Sequence, residues 1–249
     1  IRHYGSGLAG IAIFDINGNG LWCSAAAPGA VLDENIQMVS RGYGMSATID
    51  AGANTSTGDL VINGPLNVAN NGFYKRGAGS VLLNGTATSG NAAVKLLAGS
   101  LYCGVDGVLG QYANLTTSSG TTLDVRTTSQ TVAGATLAGK LKLGLDKANT
   151  LPNGQITCLG GSITLGGTLV VTNVGSLPLA AGDSFDLINA SSYTGSFSGL
   201  ILPTLPAGLL WDTSQLTVNG SIAVLAVPNV TVEPASTNIT YGNNVTLTA

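Results

Sequence analysis

The sequence predicts an all-β chain, wound as a right-handed parallel β-helix, on three observations. Charged residues are only 8% of the 249, against roughly 25% in an ordinary soluble domain. Glycine takes 36 positions, about twice its usual share. Short apolar runs, alternating with small polar residues, recur at a spacing of roughly 20 residues, the scale of solenoid rungs. Hydrophobic residues make up 44% of the chain, enough to bury a core. The polarity that remains is mostly Thr, Ser and Asn, which suit strands and tight corners. Helices want Glu, Lys, Arg and Gln on their wet faces, and those are scarce.

Residues 1–50 are mixed. Ile11-Ala-Ile-Phe14 is a short apolar run, Asp15-Ile-Asn-Gly-Asn-Gly20 is a dense turn signal, and Trp22 and the segment Ile36 to Val39 read as strand pieces. From about residue 50 the pattern becomes regular. Asp59-Leu-Val-Ile-Asn63, Gly79-Ser-Val-Leu-Leu-Asn84, Ala93-Val-Lys-Leu-Leu97, Thr121-Thr-Leu-Asp-Val125, Lys140-Leu-Lys-Leu143 and Gly167-Thr-Leu-Val-Val-Thr172 each alternate with period two between turn residues. No window carries a 3.6-residue apolar stripe with caps. The runs share a plan of Gly, a small polar residue, then alternating apolar residues. One such unit cannot bury its apolar side alone. Stacking on the next one, at about 4.8 Å, can. A sandwich would instead want hairpin-linked antiparallel strands.

The last third changes character. Aromatic residues gather at Phe185, Tyr193, Phe197 and Trp211, and Pro178, Pro203 and Pro206 punctuate the chain. A stack needs such a segment, because a bare end exposes both apolar core and strand edges. The expected organisation is therefore N-terminal strands over 1–50, a parallel β-helix over 51–226 with a closing segment from about 167, and the truncated start of another module over 227–249. Both ends read as cuts inside a longer protein.

Composition excludes several function classes. Net charge is −3 with only 9 Lys and Arg, too few to track a phosphate backbone, so no nucleic-acid partner is expected. No run approaches the roughly 18–20 apolar residues of a membrane span. Cys23, Cys103 and Cys158 form no Cys-x-x-Cys pair. Burial as small apolar residues is the first reading, and one disulfide with a free thiol is the alternative. A zinc site would want four ligands, and His3 is the single histidine. The same scarcity removes the base of a Ser-His-Asp triad. Gly195-Ser-Phe-Ser-Gly199 imitates a nucleophile elbow but centres on Phe197. Gly5-Ser-Gly-Leu-Ala-Gly10 spells a dinucleotide fingerprint but runs into a strand-like segment where a helix should begin.

Asp15, Asn17 and Asn19 match the first half of a calcium loop. The twelfth position, which should be a bidentate Glu, is Ala26, so an Asn-Gly turn is favoured over a metal site. No cofactor is expected. Glycoside hydrolysis needs two carboxyls across one bond. Asp33 and Glu34 are adjacent and would face opposite ways on a strand. Asp183 and Asp186 flank a strand start and read as solvated. Asp124 and Arg126 share a strand face by alternation, as do Lys140 and Lys142. Stacked strands would bring these four together as a small charged patch, and three or more of these and Asp146 converging in a concave cleft would favour a carbohydrate-active site. A basic residue there could serve a lyase as general base.

Phe73-Tyr-Lys-Arg-Gly-Ala-Gly-Ser-Val-Leu-Leu-Asn-Gly85, continuing through Val94-Lys-Leu-Leu-Ala-Gly-Ser-Leu-Tyr-Cys-Gly104, resembles the autotransporter-associated β-strand repeat family. Lys75, Gly77, Gly79, Ala98, Gly99 and Leu101 match its pattern, while Arg76 and Cys103 depart from it. Gly167 to Val224 resembles the closing segment of such proteins, and 228–249 the start of a bacterial immunoglobulin-like module. The resemblance implies a pectin-lyase-like solenoid in a large secreted or cell-surface bacterial protein. Its role would be that of a non-catalytic structural or adhesive segment, acting as a rigid stalk or passenger. It implies surface carbohydrate or other cell-surface proteins as partners, and it brings no catalytic residues. The alternative is a carbohydrate-active β-helix, a polysaccharide lyase or glycoside hydrolase.

Overall fold

The computed structural model describes residues 12–15, 20–23, 30–32, 36–38, 47–51, 60–64, 66–68, 73–86 and 93–228. Among them there is no helix. The strands are β1 Ala12–Asp15, β2 Gly20–Cys23, β3 Ala30–Leu32, β4 Ile36–Met38, β5 Ala47–Ala51, β6 Leu60–Ile62, β7 Leu66–Val68, β8 Phe73–Arg76, β9 Ser80–Leu83, β10 Ala93–Leu96, β11 Ser100–Cys103, β12 Asn114–Thr117 and β13 Thr122–Arg126. They continue as β14 Ser129–Val132, β15 Gly134–Leu137, β16 Lys140–Leu145, β17 Gln155–Cys158, β18 Ser162–Leu165, β19 Thr168–Asn173, β20 Ser184–Asp186, β21 Ile188–Asn189, β22 Ser192–Gly195, β23 Gly199–Ile201, β24 Leu209–Asp212 and β25 Ser221–Ala226.

Two sheets carry the fold. The first has nine strands in the order β1-β2-β5-β8-β10-β12-β15-β18-β22, and the second has eight, β23-β19-β16-β13-β11-β9-β6-β3. From β2 onward the chain visits them alternately, and every pairing from there is parallel. Shorter parallel strands lie on the return path from the second sheet to the first. These are β4 with β7, and the three-stranded sheet β14-β17-β21. The all-β expectation, without a helical layer, holds for the described residues.

Register explains why the alternating pattern was needed. In the first sheet Phe73, Val94, Leu115, Ala135 and Ile163 are successive partners, and all are buried. In the second sheet Leu60, Val81, Leu101, Leu123, Leu141 and Leu169 form the matching column, again buried. Both columns belong to one core cluster. With a side-chain period of two, a slip of one residue would turn a whole column to solvent, so each rung's pattern locks its register to the next. The outward positions hold Thr116, Thr136, Thr164 and Thr194 in one ladder. The Thr164 and Thr194 hydroxyls lie 3.0 Å apart.

The corners from the first sheet to the second are short from β8 onward and use glycine where the backbone turns left-handed. Gly77, Gly99 and Gly167 have φ of 74°, 68° and 55°. At Gly99 a Cβ would overlap the carbonyl oxygens of Gly79 and Gly77 in the corner below. Space and φ both demand glycine there. Beside it lies Lys75, fully buried. Its Nζ donates to the carbonyls of Arg76 (2.6 Å), Gly77 (2.8 Å) and Ala98 (3.0 Å). One ammonium thus ties two successive corners together. Two corners later Thr117, also buried, accepts from the Gly139 N–H at 3.1 Å.

The C-terminal part departs from the parallel plan. β20, β25 and β24 form an antiparallel sheet. Phe185 is buried in the core and meets Trp211 at 6.2 Å between ring centroids. The Trp211 indole N–H donates to the Pro203 carbonyl at 2.9 Å. The Tyr193 hydroxyl donates to Ile188 O at 3.0 Å and accepts from Ala190 N at 3.1 Å. Burial raises that phenol above its ordinary value, chiefly by desolvation. Of the aromatic residues singled out in the sequence, Phe185 belongs to the core and Tyr193, Phe197 and Trp211 pack against it.

Candidate functional site

The outer face of the second sheet brings most of the sequence-derived charged patch together. β13 and β16 are neighbours, with Thr122 opposite Lys140 and Asp124 opposite Lys142. Leu123 and Leu141 face the core between them, so Asp124, Lys140 and Lys142 fall on the outer side. Asp124 Oδ2 accepts from Lys142 Nζ at 2.9 Å, with the carboxylate side chain 12% exposed and the lysine 37%.

The expectation for Arg126 needs a correction. Simple alternation would put it on the face of Asp124, but the register shifts between the two, so that Arg126 lies opposite Leu143. Val125 is buried within this bulge. Arg126 has φ of 58°, and it is the one non-glycine residue with positive φ among those described. Such a conformation disfavours any side chain with a Cβ and persists only where its surroundings hold it. Here they do. Asp124 Oδ1 accepts the Arg126 backbone N–H at 3.1 Å. On the other side Gly154 approaches so closely that a Cβ would overlap the Arg126 carbonyl. The bulge re-aims the arginine, and its guanidinium carbon lies 5.5 Å from the centroid of the Tyr102 ring. Tyr102 is the register partner of Asp124 on the strand below. Arg126 thus reaches the patch by way of the bulge rather than by alternation.

Asp146 does not join. Its carboxylate accepts from Ala148 N (3.1 Å) and Asn149 Nδ2 (3.0 Å), capping its own turn. Lys147 pairs instead with Asp183 at 2.7 Å and donates to Pro178 O at 3.1 Å. At Asp183 burial acts to raise the carboxyl value. The Lys147 hydrogen bond, the Ala180 N–H and the lysine charge outweigh it and hold the group below its ordinary range. The Asp186 backbone carbonyl accepts from Asn153 and Gln155, at 2.8 Å and 2.9 Å.

The remaining sequence candidates resolve as follows. Asp15 and Gly20 are partners in the antiparallel pair of β1 and β2, so the chain reverses between them. Asn17 and Asn19 lie outside the described residues, as do His3, the Gly5–Gly10 segment, Asp33, Glu34 and residues 229–249. The Gly195–Gly199 segment is a corner from β22 to β23, where Ser198 Oγ donates to Gly167 O at 2.5 Å. Cys103 and Cys158 are both free and buried, which removes a disulfide between these two. Burial pushes the Cys158 thiol up to about 11 and drives Cys103 higher still. No group of three or more His, Cys, Asp or Glu placed to hold a metal ion occurs among the described residues. Nor does any described helix run long and apolar enough to cross a membrane.

Sequence reasoning missed Tyr102 and the role of Lys75. A signal existed for both. Aligning Ser100-Leu-Tyr102, Thr122-Leu-Asp124 and Lys140-Leu-Lys142 puts Tyr102, Asp124 and Lys142 in one column. Lys75 stands two residues after Phe73, on the inward phase of its strand.

The patch therefore offers two cations, Arg126 and Lys140, that have no ionic partner among the described residues. Beside them are one neutralised pair and an aromatic ring, on a rigid sheet. It can bind an anion. It has the carboxylate and ammonium of an acid–base pair, but these are engaged with each other. No family model matches the chain, and neither a curated protein nor a solved structure matches it.

Proposed function

We propose that the two alternating parallel sheets are the walls of a right-handed parallel β-helix of the autotransporter-associated repeat kind. In this reading the chain is a rigid, non-catalytic stalk or passenger segment of a large secreted or cell-surface bacterial protein. The observation that carries it is the register. Inward columns run without a break from Phe73 to Ile163 and from Leu60 to Leu169, as expected when each coil settles on the last. Phe73, Val94 and Leu115 follow at intervals of about 20 residues, one coil each. The antiparallel sheet β20-β25-β24 with Phe185 and Trp211 suits the closing of such a stack. A rod of this kind keeps its length because every coil is hydrogen-bonded to two others.

Three measurements test this. Spin labels at positions 74 and 194, five strand steps apart in one outward column, should lie about 24 Å apart at about 4.8 Å per strand. A separation far outside that span would refute the stacked rod. Antibody to this chain should label intact bacteria that express the parent gene, and labelling only after lysis would refute surface display. The second reading, a polysaccharide lyase or hydrolase, draws on the adjacency of Asp124, Lys142 and Arg126. New reducing ends or unsaturated products from a polysaccharide panel would favour it over the stalk.

A further inference from the structure

The outer face of β11, β13 and β16 combines strain, charge and hydroxyls in a way that a passive wall does not need. Seven Lys and Arg residues lie among those with described side chains, and three of them, Arg126, Lys140 and Lys142, fall on the two adjacent strands β13 and β16. Asp124 offsets one of the three. The local balance is thus positive in a chain whose net charge is −3. The arginine is held there in a backbone conformation that costs free energy, by a bulge in the middle of the sheet. Bulges of this kind re-aim a side chain, and strain that the surroundings maintain points to use. The adjoining outward column runs Ser100, Thr122, Lys140, Thr168, so hydroxyl groups line the cations.

We propose that this face binds an acidic polysaccharide, with carboxylates on Lys140 and Arg126 and sugar hydroxyls on Ser100, Thr122 and Thr168. Charge complementarity sets the sign of the partner. Two uncompensated cations fit sparse carboxylates along a glycan rather than the dense charge of a nucleic acid. The hydroxyl column fits a partner that is itself rich in hydroxyls, which an acidic peptide is not. The sheet is pre-organised, so little side-chain ordering opposes binding. The inference deepens the adhesive side of the proposed stalk, but it needs only the sheet face.

The test is immobilised hyaluronan against dextran and polyglutamate at low salt, with the whole chain as analyte. Binding to hyaluronan should exceed that to both comparators and weaken as salt rises. Arg126→Gly removes the guanidinium while relieving the positive φ, so the fold is retained. With Lys140→Gln, an exposed change, each should weaken hyaluronan binding about fivefold, as for an exposed charge contact. Unchanged scattering and a Tm no lower than the parent's would locate the loss in the face. Hyaluronan held no better than dextran overturns the proposal, as do variants that bind like the parent. Equal retention of polyglutamate overturns the glycan assignment in favour of a general anion surface. Each of these outcomes leaves the rod reading standing, since the distance between the labels at positions 74 and 194 decides that separately.

Discussion

Lys75→Met isolates what a buried ammonium contributes to the stacking of corners. The wild-type Nζ donates to three carbonyls, Arg76 at 2.6 Å, Gly77 at 2.8 Å and Ala98 at 3.0 Å. Hydrogen bonds from a charged donor are worth about 1.5–3 kcal/mol each, and a buried acceptor left unmade costs about 1–3 kcal/mol. Two effects pull the sum down. Arg76 is exposed and Gly77 and Ala98 are half-buried, so water can reach the freed carbonyls. Met also removes the cost of burying a charge while keeping the packing of the lysine stem. The net expectation is a loss of about 2–4 kcal/mol, or a fall in Tm of about 4–16 °C for a unit of this size. Urea unfolding gives the first number and calorimetry the second. Hydrogen exchange should localise it, because the Leu97 and Ala98 amides bond to Lys75 O and the Ser100 amide to Gly79 O. Lys95→Met is the control. Lys95 sits on the outer side, over the Tyr74 ring at 5.1 Å, and its removal should cost under about 1 kcal/mol. If Lys75→Met were as stable as the parent, the ammonium would be a tolerated burial rather than a tie between corners, and the argument would fail.

Three further expectations follow from the same geometry. Gly167→Ala should destabilise by about 3–5 kcal/mol, because the new Cβ overlaps the carbonyls of Gly139 and Ala138. Gly107→Ala meets open space and should cost only about 1–2 kcal/mol for its positive φ; equal losses in urea melts would contradict this. The lowered carboxyl value of Asp183 makes the Lys147 pair a source of stability that is complete above the unfolded carboxylate value of about 3.9. That stability disappears as pH falls through the lower folded value. Asp183→Asn should therefore destabilise at pH 6 with a penalty that shrinks as the solution is acidified, and a penalty independent of pH would count against the pair. Finally, the buried Cys103 thiol should resist iodoacetamide at pH 8 in the native chain and react after unfolding, as read by peptide mass spectrometry. Rapid native alkylation would show that the Cys103 column is open.

Strand positions were legible because period-two alternation and glycine corners are local signals. Leu101, Leu123 and Leu141 could be placed on one inward column from their motifs alone. The charged patch was half legible for the same reason. Asp124 and Lys142 fell together by aligning repeats, whereas Arg126 did not, since a bulge adds a residue without a composition signal of its own. Asp146, whose convergence with them would have favoured a carbohydrate-active site, caps its own turn instead, where it accepts from the Ala148 N–H and the Asn149 side chain. The lysine at position 75 stood out only through a resemblance to a repeat pattern, and its function as a donor to three carbonyls emerges only when two corners are seen one above the other.

The unequal connections between the two sheets carry a practical consequence. From β8 onward, passage from the first sheet to the second takes only a few residues every time, and its glycines leave no room for more. The opposite flank accepts β14, the turn around Asp146 and the long excursion from Asn173 to Ser192 without disturbing the partners Ala135, Ile163 and Tyr193. Foreign peptides grafted along that flank, for instance near the open position of Gly107, should be carried in single file at one step per strand of the first sheet. The same cargo placed at Gly99 or Gly167 would force the paired strands apart.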